Sequence, residues 1–151
     1  MLRTQANLGA PFEILLLDQS MPGMSGVELA TRIKDDPVLH NDLLVIMLTG
    51  INQVPSRVIA RNAGIRRILS KPVAGYTLRT TLIDEWSQLR NTSAVDTEHH
   101  SAAEPTAAKM IVAGDFRVLV AEDNAISTKV IQGMLAKLNV GVSSVDNGKR
   151  A

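Results

Sequence analysis

Asp18, Thr49, Lys71 and the adjacent pair Glu122-Asp123 are residue types that together could move a phosphoryl group. A carboxylate can attack phosphorus and form an acyl phosphate. Several carboxylates held close repel one another and hold a hard cation; Mg²⁺ takes oxygen ligands and keeps several waters. During transfer, charge develops on the equatorial oxygens of the phosphoryl group. A lysine ammonium and a threonine hydroxyl can meet two of those oxygens while the metal meets another. Such a set needs neither histidine nor cysteine. Each residue also has a plainer account. An Asp after an apolar run is often a helix N-cap, Thr49 can simply end a strand, and Lys71 before Pro72 can be a surface lysine. Chemistry is favoured by position, because each group closes an apolar run.

Those runs are the elements that must hold the groups. Phe12–Leu17 is short and apolar at five of its six positions, Glu13 being the exception, the pattern of a strand buried on both faces in a parallel sheet. Leu43–Leu48 is a second such run, Arg67–Leu69 a weaker third, Arg117–Ala121 a fourth and Val140–Val145 a fifth. Between them lie helical periods. Val27–Lys34 follows Ser25 as a candidate N-cap. Ser56–Asn62 stops at Gly64, a residue suited to a C-terminal cap. Thr77–Leu89 puts Leu78, Leu82, Ile83, Trp86 and Leu89 on one side, and Ala125–Leu138 is amphipathic despite Gly133. Residues 1–10 read as the tail of a helix. Alternation of strand and helix predicts an α/β, doubly wound, five-stranded parallel sheet covered on both faces, with ligands at the carboxyl ends of the strands.

Composition bounds the alternatives. The chain has 151 residues, 45% of them hydrophobic, and a formal charge of +1. The charge implies no polyanion partner, and the six arginines from Arg57 to Arg90 lack interleaved aromatics. They read as a solvated face, so no nucleic-acid partner is expected. No apolar run approaches the roughly 18 residues of a membrane span, and the N-terminus lacks the apolar core of a signal peptide. A cytoplasmic location is the expectation. Between residues 91 and 115, Ser, Thr, Ala, Glu and Pro dominate without periodicity, as in a flexible linker. His99-His100 within it read as solvated.

The motifs resemble those of a response-regulator receiver domain. "LLLDQSMPGMSG" looks like the phosphoacceptor strand and loop, with Asp18 as the phosphorylated residue. "VIMLTG" carries the family's switch hydroxyl at Thr49, followed by the small Gly50, which leaves room for phosphate. "ILSKP" carries the lysine at Lys71, where the family often has a cis Lys-Pro bond. "VLVAEDN" resembles the metal-binding acidic pair, here Glu122 and Asp123. The spacings agree, with 31 residues from Asp18 to Thr49 and 22 from Thr49 to Lys71. The resemblance implies Mg²⁺ held by Asp18, Asp123, the Ser20 backbone carbonyl and Glu122. It implies a histidine kinase or histidine phosphotransfer protein as partner, with a phosphohistidine as donor. Two positions depart from the pattern. Ile68 stands where an aromatic switch is usual, and Ser127 where receivers of hybrid kinases often have Asn. Phosphatases of the haloacid-dehalogenase type use similar groups but need a second acid two residues after the nucleophile, and Ser20 stands there.

The order of the motifs is unusual for that family. Residues 1–90 resemble the later part of a receiver, strands three to five with the phosphoacceptor. Residues 116–151 resemble its beginning, strands one and two with the acidic pair. A piece of a tandem-receiver protein such as a hybrid sensor histidine kinase would read this way, although no kinase catalytic domain is present in these residues. The pieces are nevertheless complementary, and a linker of this length spans roughly 25–30 Å as a coil. Joined, within one chain or by segment exchange in a homodimer, they would make one circularly permuted receiver and cover the open apolar edge of Phe12–Leu17. The alternative is a truncated receiver that is never phosphorylated and acts only as a protein-interaction module.

Overall fold

The computed structural model describes residues 1–39, 43–92 and 116–151. Strands β1 (Ile14–Asp18), β2 (Leu44–Thr49), β3 (Ile65–Ser70), β4 (Arg117–Ala121) and β5 (Gly141–Val145) form one parallel sheet in the order β3-β2-β1-β4-β5. Five α-helices accompany them among the described residues: α1 (Leu2–Asn7), α2 (Gly26–Lys34), α3 (Arg57–Asn62), α4 (Gly75–Thr92) and α5 (Ala125–Ala136). A single 3₁₀ turn, Ile51–Gln53, follows β2. The doubly wound α/β architecture expected from the strand–helix alternation is present.

Side chains alternate across a strand, and both faces of the central strands are apolar. Leu15 and Leu17 of β1 join Val45, Met47, Leu119 and Ala121 in a core closed by α1, α2 and α3. Ile14 and Leu16 join Ile46, Leu48, Val118 and Val120 in a second core closed by α4 and α5. Ile14, Leu15, Leu16 and Leu17 are fully buried. At 1.5–3 kcal/mol per such side chain, the four contribute on the order of 10 kcal/mol, comparable with the net stability of a whole domain.

The last third of the chain supplies one neighbour of β1. Ile14 registers with Val118 and Leu17 with Ala121, while on the other side Asp18 registers with Leu48. The entry to β1 is fastened to β4. Arg117 donates its backbone N–H to Glu13 Oε2 at 2.6 Å, reaches the Ala10 carbonyl through its guanidinium, and stacks that group 4.6 Å from the Phe12 ring centroid. The two ends of the chain also meet. The Met1 ammonium donates to the Arg150 carbonyl at 2.9 Å, and the Leu2 N–H to the Ala151 carbonyl at 2.5 Å.

Several boundaries differ from those expected. Asp18 and Thr49 are the last residues of β1 and β2 rather than the first beyond them. The ladder continues past both, through Gln19 N–H to the Leu48 carbonyl and Lys71 N–H to the Thr49 carbonyl. β3 is twice the length of the run Arg67–Leu69, because an edge strand tolerates Arg66 and Arg67 on an exposed face. Both arginines instead bind Glu85, a buried carboxylate of α4. Helix α4 extends to Thr92; from residue 93 onward the span expected as a linker, with His99-His100, lies outside the described residues. No helix among the described residues is long and apolar enough to cross a membrane.

Candidate functional site

The carboxyl ends of β1, β3 and β4 deliver their polar residues to one place. Lys71, one residue past β3, donates from Nζ to Asp18 Oδ1 at 2.8 Å and to Glu122 Oε2 at 2.5 Å. Asp18, Glu122 and Asp123 each offer a carboxylate oxygen, and these lie within 4.8 Å of one another. Asp18 and Glu122 are buried, whereas Asp123 is exposed. The Lys71-Pro72 peptide bond is cis. Glu122 lies 51 residues from Lys71 in the chain, and the two meet as expected because parallel strands bring all their carboxyl ends to one edge of the sheet.

Thr49 is fully buried at the end of β2, and its hydroxyl donates to the Gly50 carbonyl at 3.2 Å. Its backbone carbonyl accepts from Lys71 N–H at 2.8 Å, which ties the threonine to the lysine. Gly50 is half-buried beside it. On the other side of Asp18, Ser20 donates its backbone N–H to Asp18 Oδ2 at 3.2 Å and its hydroxyl to Gln53 Oε1 at 2.5 Å. Gln53 went unremarked in the sequence because the 3₁₀ turn carrying it leaves no periodicity to read.

The loop after Asp18 owes its path to packing. The Met21 and Met24 side chains are buried, and Gly23 has φ +77°, a conformation glycine adopts without the cost of a Cβ. Gly26 opens α2 against β1, where a Cβ would stand 2.5 Å from the Asp18 carbonyl oxygen. Ser25 caps that helix reciprocally with Glu28. The Glu28 N–H donates to Ser25 Oγ at 3.3 Å, and the Ser25 N–H donates to Glu28 Oε2 at 2.8 Å. The cap lowers the pKa of the Glu28 carboxyl through the donors of Ser25. Across the site, the Asn124 side chain accepts from Ile126 N–H and Ser127 N–H and begins α5 immediately after the acids.

Burial is the largest influence on the Glu122 carboxyl and the Lys71 ammonium. It raises the Glu122 carboxyl above its usual value; the ammonium of Lys71 opposes this and the nearby Asp18 carboxylate adds to it. Burial pushes the Lys71 ammonium down, but its hydrogen bonds to Asp18 and Glu122 outweigh that and hold it above the ordinary lysine value. With all three acids ionised, one ammonium leaves two negative charges unbalanced. Crowded oxygen donors with that residual charge fit a divalent, oxygen-seeking cation such as Mg²⁺.

Comparisons with known proteins bear first on the part of the chain that carries Asp18, Thr49 and Lys71. A family model described as the response regulator receiver domain matches residues 4–83. The transcriptional regulatory protein FixJ of Bradyrhizobium diazoefficiens is 30% identical over 131 residues, covering 87% of this chain and 56% of that protein. The cyclic di-GMP phosphodiesterase response regulator RpfG of Xanthomonas campestris is 40% identical over 67 residues, 44% of this chain and 18% of that protein. A solved CheY-like receiver domain protein from Methanospirillum hungatei is 25% identical, with a TM-score of 0.48 over 59% of this chain and 69% of that one. The chain spans less than two thirds of the length of either curated relative.

Proposed function

The chain belongs to the response regulator receiver domain family, and from that premise we propose that it accepts a phosphoryl group on Asp18 in a two-component phosphorelay. The observation that carries the proposal is the bridging of Asp18 and Glu122 by Lys71 at the strand ends, with Asp123 beside them. An Asp18 carboxylate oxygen forms a bond to phosphorus as the bond from phosphorus to the donor's imidazole nitrogen breaks, its electron pair remaining on nitrogen. Lys71 holds the carboxylate in place and meets charge on the transferring oxygens, and the Thr49 hydroxyl gives a second donor beside Gly50. Asp18, Glu122, Asp123 and the Ser20 carbonyl would hold Mg²⁺, which when bound compensates charge on the phosphoryl oxygens.

The donor is a histidine kinase or histidine phosphotransfer protein, met in the cytoplasm. A surface beside the site supports such a partner. Pro72, Val73, Ile126, Val130 and Met134 line an apolar depression of about 400 Å³. Ile126 is 75% exposed and Val130 50%, so they are free to pack against an approaching helix. Counting from β4, the sheet order becomes 2-1-3-4-5, the flavodoxin-like order, which supports a receiver assembled in circularly permuted order. Segment exchange between two chains would build the same sheet and make a homodimer.

Incubation with a phosphorylated kinase domain or a small acyl phosphate, with Mg²⁺, should give acid- and base-labile radiolabel on the wild type. Asp18→Asn should abolish it. Label persisting on that variant would reject the assignment.

A further inference from the structure

We propose that Met134 is a modification site, oxidised by peroxides to the sulfoxide, and that this change closes Asp18 to a protein donor while leaving it open to a small one. The inference rests on the reading of the apolar depression beside the site as the donor's docking surface. The chain has six methionines, of which Met110 lies outside the described residues. Met21, Met24 and Met47 are 7%, 6% and 0% exposed and belong to the core closed by α1, α2 and α3. Met1 is exposed but outside the depression. Met134 of α5 is half-buried and lines the depression with Pro72, Val73, Ile126 and Val130. Its sulfur would lie 3.9 Å from a Cβ built on Gly75, an exposed residue that opens α4. The thioether therefore sits where α4 and α5 come to the surface, in the same depression that Lys71 lines.

A thioether is flexible and polarisable, and suits an apolar surface that must fit a partner. Oxidation reverses that character. A sulfur lone pair bonds to one peroxide oxygen, the O–O bond breaks, and the departing oxygen takes up a proton and leaves as water. Sulfur loses two electrons and the peroxide gains them. The sulfoxide oxygen is a polar acceptor that water satisfies while the depression is open. Beneath a docked helix it would face Pro72, Val73, Ile126 and Val130, none of which carries a side-chain donor. Burying that acceptor unpaired weakens docking about tenfold. A small acyl phosphate reaches Asp18 without covering the depression and meets no such cost.

The test treats purified full chain with hydrogen peroxide and locates the sulfoxides by peptide mass spectrometry. Labelling in Mg²⁺ is then timed from a phosphorylated histidine phosphotransfer domain and from acetyl phosphate. Met134 should oxidise ahead of Met21, Met24 and Met47. Transfer from the phosphotransfer domain should fall about tenfold, labelling from acetyl phosphate should not change, and methionine sulfoxide reductase should restore the transfer. Met134→Leu, whatever its own rate, should keep that rate through peroxide treatment, which separates Met134 from Met1 and Met110. Oxidation of the core methionines first overturns the proposal. So does an equal loss with both donors, which would mean damage to the site, or a loss in Met134→Leu as large as that of the wild type. An untreated wild type that takes label from acetyl phosphate but not from the phosphotransfer domain sinks the docking reading, and one that takes label from neither sinks the phosphoacceptor reading. A wild type labelled by both donors and indifferent to peroxide sinks only this inference.

Discussion

Replacing Lys71 by alanine removes the single ammonium that two buried carboxylates share. Its contacts are 2.8 Å to Asp18 and 2.5 Å to Glu122, whose side chains are 5% and 1% exposed. At an effective dielectric constant of 20, a pair at 2.8 Å attracts by about 6 kcal/mol, much of which the ammonium forfeits in leaving water. Removing one partner of a buried pair costs about 3–5 kcal/mol, because the remaining charge stays desolvated and unpaired. Lys71 is 26% exposed, and water replacing it would reach the acids, so the cost falls to about 2–3 kcal/mol. With an m-value of about 1.5–2 kcal/mol/M, the urea midpoint in EDTA should drop by roughly 1–2 M. Magnesium should recover much of that loss, since a divalent cation takes over the work of the ammonium, and should raise the variant's midpoint more than the wild type's. A loss below about 0.5 kcal/mol, or one equally large with and without magnesium, would refute the picture of two acids kept together by this lysine.

The raised Glu122 carboxyl gives a pH signature. A group whose folded pKa exceeds its unfolded value of 4.5 contributes stability that is full below that value and is lost as pH rises through the folded pKa. In EDTA, the wild type's stability relative to Glu122→Gln should therefore decline as pH is raised above 4.5, as urea midpoints at a series of pH values would show. Lys71, also raised, keeps its contribution below 10.5 and loses it only in more alkaline solution. Gly26→Ala would drive a methyl to 2.5 Å from the Asp18 carbonyl oxygen. Moving α2 away to relieve that clash should cost about 1–3 kcal/mol and slow labelling of Asp18. Denaturation and labelling rates measured on the same preparation check both effects.

The sheet was legible because burial on both faces leaves the strands no polar alternation to confuse. "FEILLLD" and "LLVIML" could be little else. Asp18 stood out for the same reason, as an abrupt carboxylate after residues that must be buried. β3 was harder. Arg66 and Arg67 break its apolar run, and only the position of β3 at the sheet edge, with Glu85 behind it on α4, explains why they fit. Glu85 itself gave no signal, since a helical glutamate is usually solvated and its burial depends on partners outside its own helix. Glu122 and Asp123 are neighbours in sequence, yet one is buried against Lys71 and the other is exposed. That distinction arises because the Lys71 side chain, one residue past β3, reaches Glu122 across the strand ends, and no local pattern encodes it. The Ser20–Gln53 contact was invisible because two short polar residues in different loops carry no periodicity at all.

The pairing of β1 with β4 has a consequence for the time during which the protein is being made. About a hundred residues separate Ile14 from its partner Val118. At ribosomal rates of roughly 5–20 residues per second, the leucines of β1 wait about 5–20 s for their second neighbour. For that interval the nascent chain carries an unsatisfied strand to which another nascent chain could add. Yield in cells should therefore respond to chaperone supply and to translation speed more than the finished fold's stability alone would indicate.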